Sequence, residues 1–199
     1  MQISLILCHP HVGSLNHAIA DAVREVLTAN GHTVVFHDLY AESFDPILPY
    51  EEIPANAPLD PQIEMHCREV AEADGFVFVH PDWWHMPPAM LKGWVDRVLR
   101  SGVAYAFRPD ETGKVSFMTL LKAQRALVFT TSNTPAEMER ELYGDPLENL
   151  WTRCILNYCG VKDVERTNYA VVVVSKQEER EAWLADVRAR VASAFPPAV

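Results

Sequence analysis

The chain reads as an α/β protein with a doubly wound, mainly parallel sheet covered by helices on both faces. Three observations predict this. Short apolar runs at 3–8, 76–80 and 126–129 read as strands buried on both sides. Segments with helical spacing lie between them, as in Leu15, Ile19, Val23 and Leu27. From the first residues the order is strand, loop, helix, and repeating that unit builds right-handed crossovers over a parallel sheet.

Each element follows from local signals. The first strand covers 3–8, and Ser14 caps a helix that Asn30-Gly31 closes. A second strand covers 33–36, and the proline-rich stretch 46–61 reads as an irregular surface arm. A helix over 62–73 leads into the strand 76–80. Pro88, tolerated in a first helical turn because its missing N–H has no partner there, starts a helix through Leu91, Trp94, Val95 and Leu99 that ends near Ser101-Gly102. Residues 103–114 read as a loop, 126–129 as a strand ending in Thr130-Thr131-Ser132-Asn133, and 147–159 as a helix. A last strand is expected over 169–174 and a closing amphipathic helix over 178–194. No repeat or low-complexity tract interrupts what reads as one domain of 199 residues.

Composition narrows the partners. A formal net charge of -10, a pI near 5.2 and no basic run disfavour nucleic acid and anionic membranes, leaving a neutral or mildly polar small molecule as the easier ligand. Cys8, Cys67, Cys154 and Cys159 show no C-x-x-C spacing and are expected to be reduced thiols. No basic leader precedes the first strand, whose apolar run is too short for a signal or an integral membrane segment. The expectation is a cytoplasmic protein.

Chemistry is expected where strands end and helices begin, the edge at which parallel sheets bind ligands. The loop after the first strand lacks both G-x-G-x-x-G and G-x-x-x-x-G-K-[ST]. It offers Gly13-Ser14-Leu15-Asn16, suited either to a phosphate at a helix N-terminus or simply to an N-cap and a solvated amide. Cys8 has Ser14 where a tyrosine phosphatase needs arginine. The first strand also ends in Cys8-His9-Pro10-His11 where a phospho-acceptor regulator needs carboxylates. His9, His11, His80 and His85, with Cys8 and Asp82, could ligate zinc, although a histidine at a strand end is more often a hydrogen-bonded structural residue. After the third strand, Pro81-Asp82-Trp83-Trp84-His85-Met86-Pro87-Pro88 sets two indoles in a loop, which is costly unless a planar ligand or a partner covers them.

Taken together, these loops resemble the flavodoxin-like NAD(P)H:quinone oxidoreductases. The segment 81–98, P-D-W-W-H-M-P-P-A-M-L-K-G-W-V-D-R-V, is the most specific match. His9-Pro10 to Asn16, Asp38-Leu39-Tyr40, Phe44-Asp45-Pro46, Ala104-Tyr105-Ala106-Phe107, Thr130-Thr131, Gly144-Asp145 and Tyr158-Cys159-Gly160 follow the family in order. The resemblance implies a five-stranded sheet of order 2-1-3-4-5, a non-covalent flavin, a homodimer, and ping-pong two-electron reduction of quinones or related electrophiles by NAD(P)H. FMN is expected over FAD because the family's C-terminal extension is missing. Carried over, His9, Ser14, Leu15 and Asn16 surround the flavin phosphate or ribityl chain, and Pro81, Asp82, Trp83, Trp84 and His85 line the ring edge. Thr130, Thr131, Ser132 and Asn133 stand where the family has T-T-G-G, a change that keeps the backbone donors if Asn133 takes a left-handed conformation. Trp84, Tyr105 and Phe107 form the substrate slot, the last two reaching the partner subunit's site. Tyr143 precedes Gly144-Asp145 where the family's proton-relay histidine would stand, so Tyr143 and His85 are the catalytic candidates. A non-catalytic flavin carrier, or a flavoprotein subunit regulating a transporter, is the competing role.

Overall fold

The computed structural model describes residues 1–109 and 111–197. Its strands are β1 (Gln2–Leu7), β2 (Thr33–Asp38), β3 (Gly75–Pro81), β4 (Tyr105–Pro109), β5 (Val115–Thr119), β6 (Arg125–Ser132) and β7 (Asp163–Ala170). Five of them form one parallel sheet in the order β2-β1-β3-β6-β7, while β4 and β5 pair separately as an antiparallel hairpin. The helices are α1 (Leu15–Ala29), α2 (Pro61–Glu72), α3 (Ala89–Val98), α4 (Ala136–Glu141), α5 (Pro146–Asn149) with a π-helical continuation over Leu150–Asn157, and α6 (Gln177–Ala194).

The sheet's alternation builds two cores. Val77 and Val79 point to the side of α1 and α6, where they meet Ile19, Val23, Val187 and Val191. Phe76 and Phe78 point the other way, against Leu91, Trp94 and Trp151 of α3 and the π-helical segment. His80 continues that second row and is fully buried. Its Nε2 accepts the Trp151 indole N–H at 2.9 Å and its Nδ1–H meets Pro81 O at 2.8 Å, so the ring is neutral, and burial pushes its pKa down to about 4.

Two sequence expectations need correction. Counted along the sheet alone the strands lie second, first, third, fourth, fifth, but the numbering runs 2-1-3-6-7 because the stretch 103–114, expected as a loop, opens a hairpin that comes between the third and fourth strands of the sheet. Its signal was the period-two pattern of Tyr105 and Phe107 answered by Val115 and Phe117 across Gly113. The last strand starts at Asp163, not 169, and Val172–Val174 forms a 3-10 turn. An edge strand with one exposed side tolerates Asp163, Glu165 and Arg166, whereas an apolar run such as 171–174 only resembles a buried strand. The arm 46–61 does run along the surface, but it is tied down. Arg97 donates to both oxygens of the buried Glu52 at 3.0 and 2.6 Å, and Arg100 donates to the Glu52 and Pro54 carbonyls. Gly93 allows this contact, since a Cβ there would lie 2.2 Å from Pro46 O.

Beneath β2, His37 donates from Nδ1 to Glu42 at 2.9 Å and from Nε2 to Glu69 at 2.8 Å, so both nitrogens are protonated. Burial opposes that charge, but the bonds to Glu42 and Glu69 outweigh it and raise the His37 pKa. The Glu42 carboxyl is likewise disfavoured by burial, yet His37 and His66 hold it down at about 2. The group has the composition of a metal site. However, the Trp94 indole N–H donates to His66 Nδ1 at 3.1 Å, which leaves the His66 proton on Nε2, 3.4 Å from Glu42. Metal binding at that Nε2 would require a ring with no proton at all, so the cluster works as a hydrogen-bonded clamp between β2, α2 and α3.

Burial pushes the Cys8 thiol up to about 12 and the Cys67 and Cys159 thiols to about 11, while Cys154 is exposed. Among the described residues, no helix is long and apolar enough to cross a membrane.

Candidate active site

Parallel strands expose their carboxyl ends together, so the loops after β1, β3 and β6 meet at one edge. They enclose a cleft of about 310 Å³ lined by His9, Ser14, Leu15, Asn16, Pro81, Asp82, Trp83, Thr131, Ser132, Asn133 and Val172. Ten of these were named from sequence. Val172 was not, because it sits in the apolar run expected to be strand.

The first loop makes the helix-start wall. Gly13 turns at φ +84°, and Ser14 Oγ caps α1 by accepting the His17 N–H. The Leu15 and Asn16 amides, in the first helical turn, have no carbonyl four residues back within the helix to receive them. His9 holds the His11 N–H on Nδ1, and burial lowers its pKa, which favours the neutral ring. Ser14 is thus an N-cap and also lines the cleft, whereas Asn16 is buried and not the solvated amide that one reading expected.

Asn16 ties the walls together beneath the cleft. Its amide donates to Thr131 Oγ1 at 2.9 Å, while its buried Oδ1 has no partner. Asp82 N–H donates to Thr131 O at 2.7 Å, fixing the β3 loop against the β6 loop. The Asp82 carboxyl is raised above its ordinary range, by burial first and by the nearby Glu139 charge second. Thr130 lies under the cleft rather than in it. It is fully buried, accepting from Arg166 at 2.8 Å and donating to Asn168 Oδ1 at 3.0 Å, and Asn168 in turn donates to Ser132 Oγ at 2.9 Å. Asn133 is not left-handed; its Oδ1 instead holds the Val173 N–H at 2.9 Å.

The left-handed residues of this region are Trp84 and His85, both at φ 58°. Trp83 and Met86 exchange backbone hydrogen bonds at 3.1 and 3.2 Å, so Trp84 and His85 are the two central residues of a tight hairpin turn that usually takes Asn and Gly. Trp84 is 94% exposed. His85 donates from Nδ1 to Glu139 at 2.8 Å, and the Tyr143 ring lies 4.3 Å from it, centroid to centroid. His85 and Tyr143 thus stand together, as a group just outside the cleft lining. Tyr105 and Phe107 lie elsewhere, in the hairpin, packed with Phe117 and Tyr158. The zinc grouping does not assemble, since His80 turns into the core. Near the cleft the converging set is Asp82, His85 and Glu139. Glu139, Arg166 and Asn168 escaped the sequence reading because a charged helix and a polar edge strand look like solvated faces.

Comparison with known proteins agrees with this architecture. The Flavodoxin-like fold family matches residues 1–192. An uncharacterized NAD(P)H oxidoreductase of Haemophilus influenzae is 33% identical over 184 residues, covering 90% of this chain and 89% of its own. Mouse ribosyldihydronicotinamide dehydrogenase [quinone] is 31% identical over 216 residues, covering 96% and 91%. The structure of the NAD(P)H:quinone oxidoreductase from Methanothermobacter marburgensis superposes with a TM-score of 0.81 at 28% identity, covering 96% and 97%. With a matching profile over nearly its whole length and relatives of the same kind, the chain is an oxidoreductase of the flavodoxin-like NAD(P)H:quinone oxidoreductase family.

Proposed function

We propose that the protein binds FMN in this cleft and uses it to reduce quinones or related electrophiles with NAD(P)H, in a ping-pong cycle within a homodimer. The observation that carries the reading is the meeting of three separate loops around one cleft whose floor holds an unsatisfied acceptor, Asn16 Oδ1. A buried acceptor without a donor costs about 1–3 kcal/mol unless a ligand hydroxyl or N–H meets it. A ribityl chain or a flavin ring provides both kinds of donor.

The residues suit the group. Free amides at Leu15 and Asn16, with the Ser14 loop open around Gly13, suit a phosphate at the positive end of α1. Trp83 and Pro81 offer apolar contact to a flat ring, and the 131–133 turn offers polar contact to its heteroatoms. Bound flavin supplies the redox chemistry, accepting a hydride from the nicotinamide and returning two electrons to the second substrate. The protein's part is to orient both substrates in turn and to exclude water. In the dimer, Tyr105 and Phe107 close the slot of the partner subunit, and Trp84 closes its own.

Reconstitution with FMN or FAD, mass spectrometry of the retained cofactor and steady-state NAD(P)H oxidation with 1,4-benzoquinone test this directly. FMN retention with quinone-dependent turnover is the expected result. Absent occupancy refutes the reading. Occupancy without turnover favours the electron-carrier role, and comparing NADH with NADPH assigns the donor.

A further inference from the structure

A turn with two consecutive left-handed residues carries a histidine held by a buried carboxylate. His85 Nδ1 is engaged by Glu139 Oε1 at 2.8 Å, which leaves Nε2 as the ring nitrogen open to a substrate. Glu139 is 1% exposed, and its second oxygen, Oε2, has no partner. Behind it lies a polar cavity of about 170 Å³, lined also by Asp145, Glu148, Arg166 and Asn168. The Nε of Arg166 opens on the same region, likewise without a hydrogen bond, 3.4 Å from Glu148 Oε2. An unpaired acceptor and an unpaired donor beside a polar cavity of this size give it a lining suited to water. The near oxygen of Glu139 holds the histidine, an arrangement in which a buried carboxylate fixes one imidazole tautomer.

We propose that His85 is the acid that completes reduction of the acceptor, and that Glu139 is its positioning residue. This rests on the functional reading above. Reducing a quinone to its hydroquinone takes two electrons and two protons. NAD(P)H supplies a hydride, which carries both electrons and one proton, and leaves as NAD(P)⁺. The second proton comes from His85 in its doubly protonated form: the Nε2–H bond breaks, an O–H bond forms on the acceptor oxygen, and the ring passes from imidazolium to neutral, keeping its other proton on Nδ1 against Glu139. Solvent then restores the proton at the exposed edge of the ring. Charged or titratable groups meet His85 from every packed element. Asp82 lies beside its backbone N–H, Glu139 holds Nδ1, Tyr143 covers a face, and Arg166 of β7 stands behind the two carboxylates.

Ferricyanide accepts electrons without protons, so it separates electron flow from proton delivery. In FMN-loaded protein, Glu139→Gln and His85→Phe should each lower the ratio of benzoquinone to ferricyanide turnover at least about tenfold. In ¹⁵N-histidine NMR of cofactor-free protein, neutral His85 should carry its proton on Nδ1 and shift toward the Nε2–H form in Glu139→Ala. An unchanged ratio in a wild-type-active background, or an unchanged tautomer in Glu139→Ala, overturns the relay alone. Wild-type protein that reduces neither acceptor overturns the functional reading, and the relay falls with it.

Discussion

Replacing Trp84 with asparagine should stabilise the fold while weakening its chemistry. A non-glycine residue in the left-handed region costs about 1–2 kcal/mol, and Trp84 sits there at φ 58°. Asparagine tolerates this conformation and is favoured at the first central position of such a turn. Little is lost in exchange, because the indole is 94% exposed. Covering the remaining few per cent of a surface of roughly 250 Å² contributes only about 0.4 kcal/mol. The net gain is therefore about 0.6–1.6 kcal/mol, or roughly 1–6 °C in Tm for a domain of this size. Calorimetry of cofactor-free protein over a tenfold range of concentration measures it without interference from dimer formation. In parallel, the KM for benzoquinone should rise about tenfold, the equivalent of one lost aromatic contact. A Tm that falls by about 2 °C or more would mean that the indole packs on something this chain needs, and the strain argument would be wrong.

Three further outcomes are expected. Gly93→Ala drives a methyl into Pro46 and should cost about 1–3 kcal/mol, read as a lower urea midpoint. The His37 clamp predicts a pH optimum for stability. The raised His37 pKa contributes stability that is complete below its ordinary 6.5 and is lost as pH rises through the folded value. The Glu42 carboxyl, held at about 2, contributes stability that is complete above its ordinary 4.5 and is lost as pH falls toward 2. Urea midpoints should therefore carry the whole contribution only between pH 4.5 and 6.5, and His37→Gln should flatten the profile on the alkaline side. Asn16→Leu removes the Thr131 tie and the buried acceptor together. Fluorescence titration should show FMN affinity reduced about tenfold.

How far the sequence could be read depended on how completely each element is buried. Buried strands such as 76–80 are apolar on both sides and identify themselves, and the loops that follow them inherit their positions from the topology. Exposed elements carry weaker marks. Strand β7 marks its two covered faces only with Val164 on one side and Tyr169 on the other, set among charges, and the valines at 172–174 lie outside the sheet altogether, so composition pointed to the wrong half of the segment. The cleft residues were legible because they sit at strand ends. Glu139 was not: its helix, A-E-M-E-R-E, reads as solvent-facing, and only the tertiary approach of His85 shows which of its acids turns inward. The substitution of Ser132-Asn133 for two glycines drew attention to that turn's backbone, whereas the positive φ values fell at Trp84 and His85, a pair with no glycine to announce it.

The uneven reactivity of the four thiols also limits what oxidation can do to this protein. With Cys8, Cys67 and Cys159 enclosed and protonated, only Cys154 is available to couple with another molecule. A chain with one such handle can be joined to a single neighbour, and the linkage ends there. Oxidised native protein should run as monomer and covalent pair on a non-reducing gel, and a ladder of longer species would report unfolding.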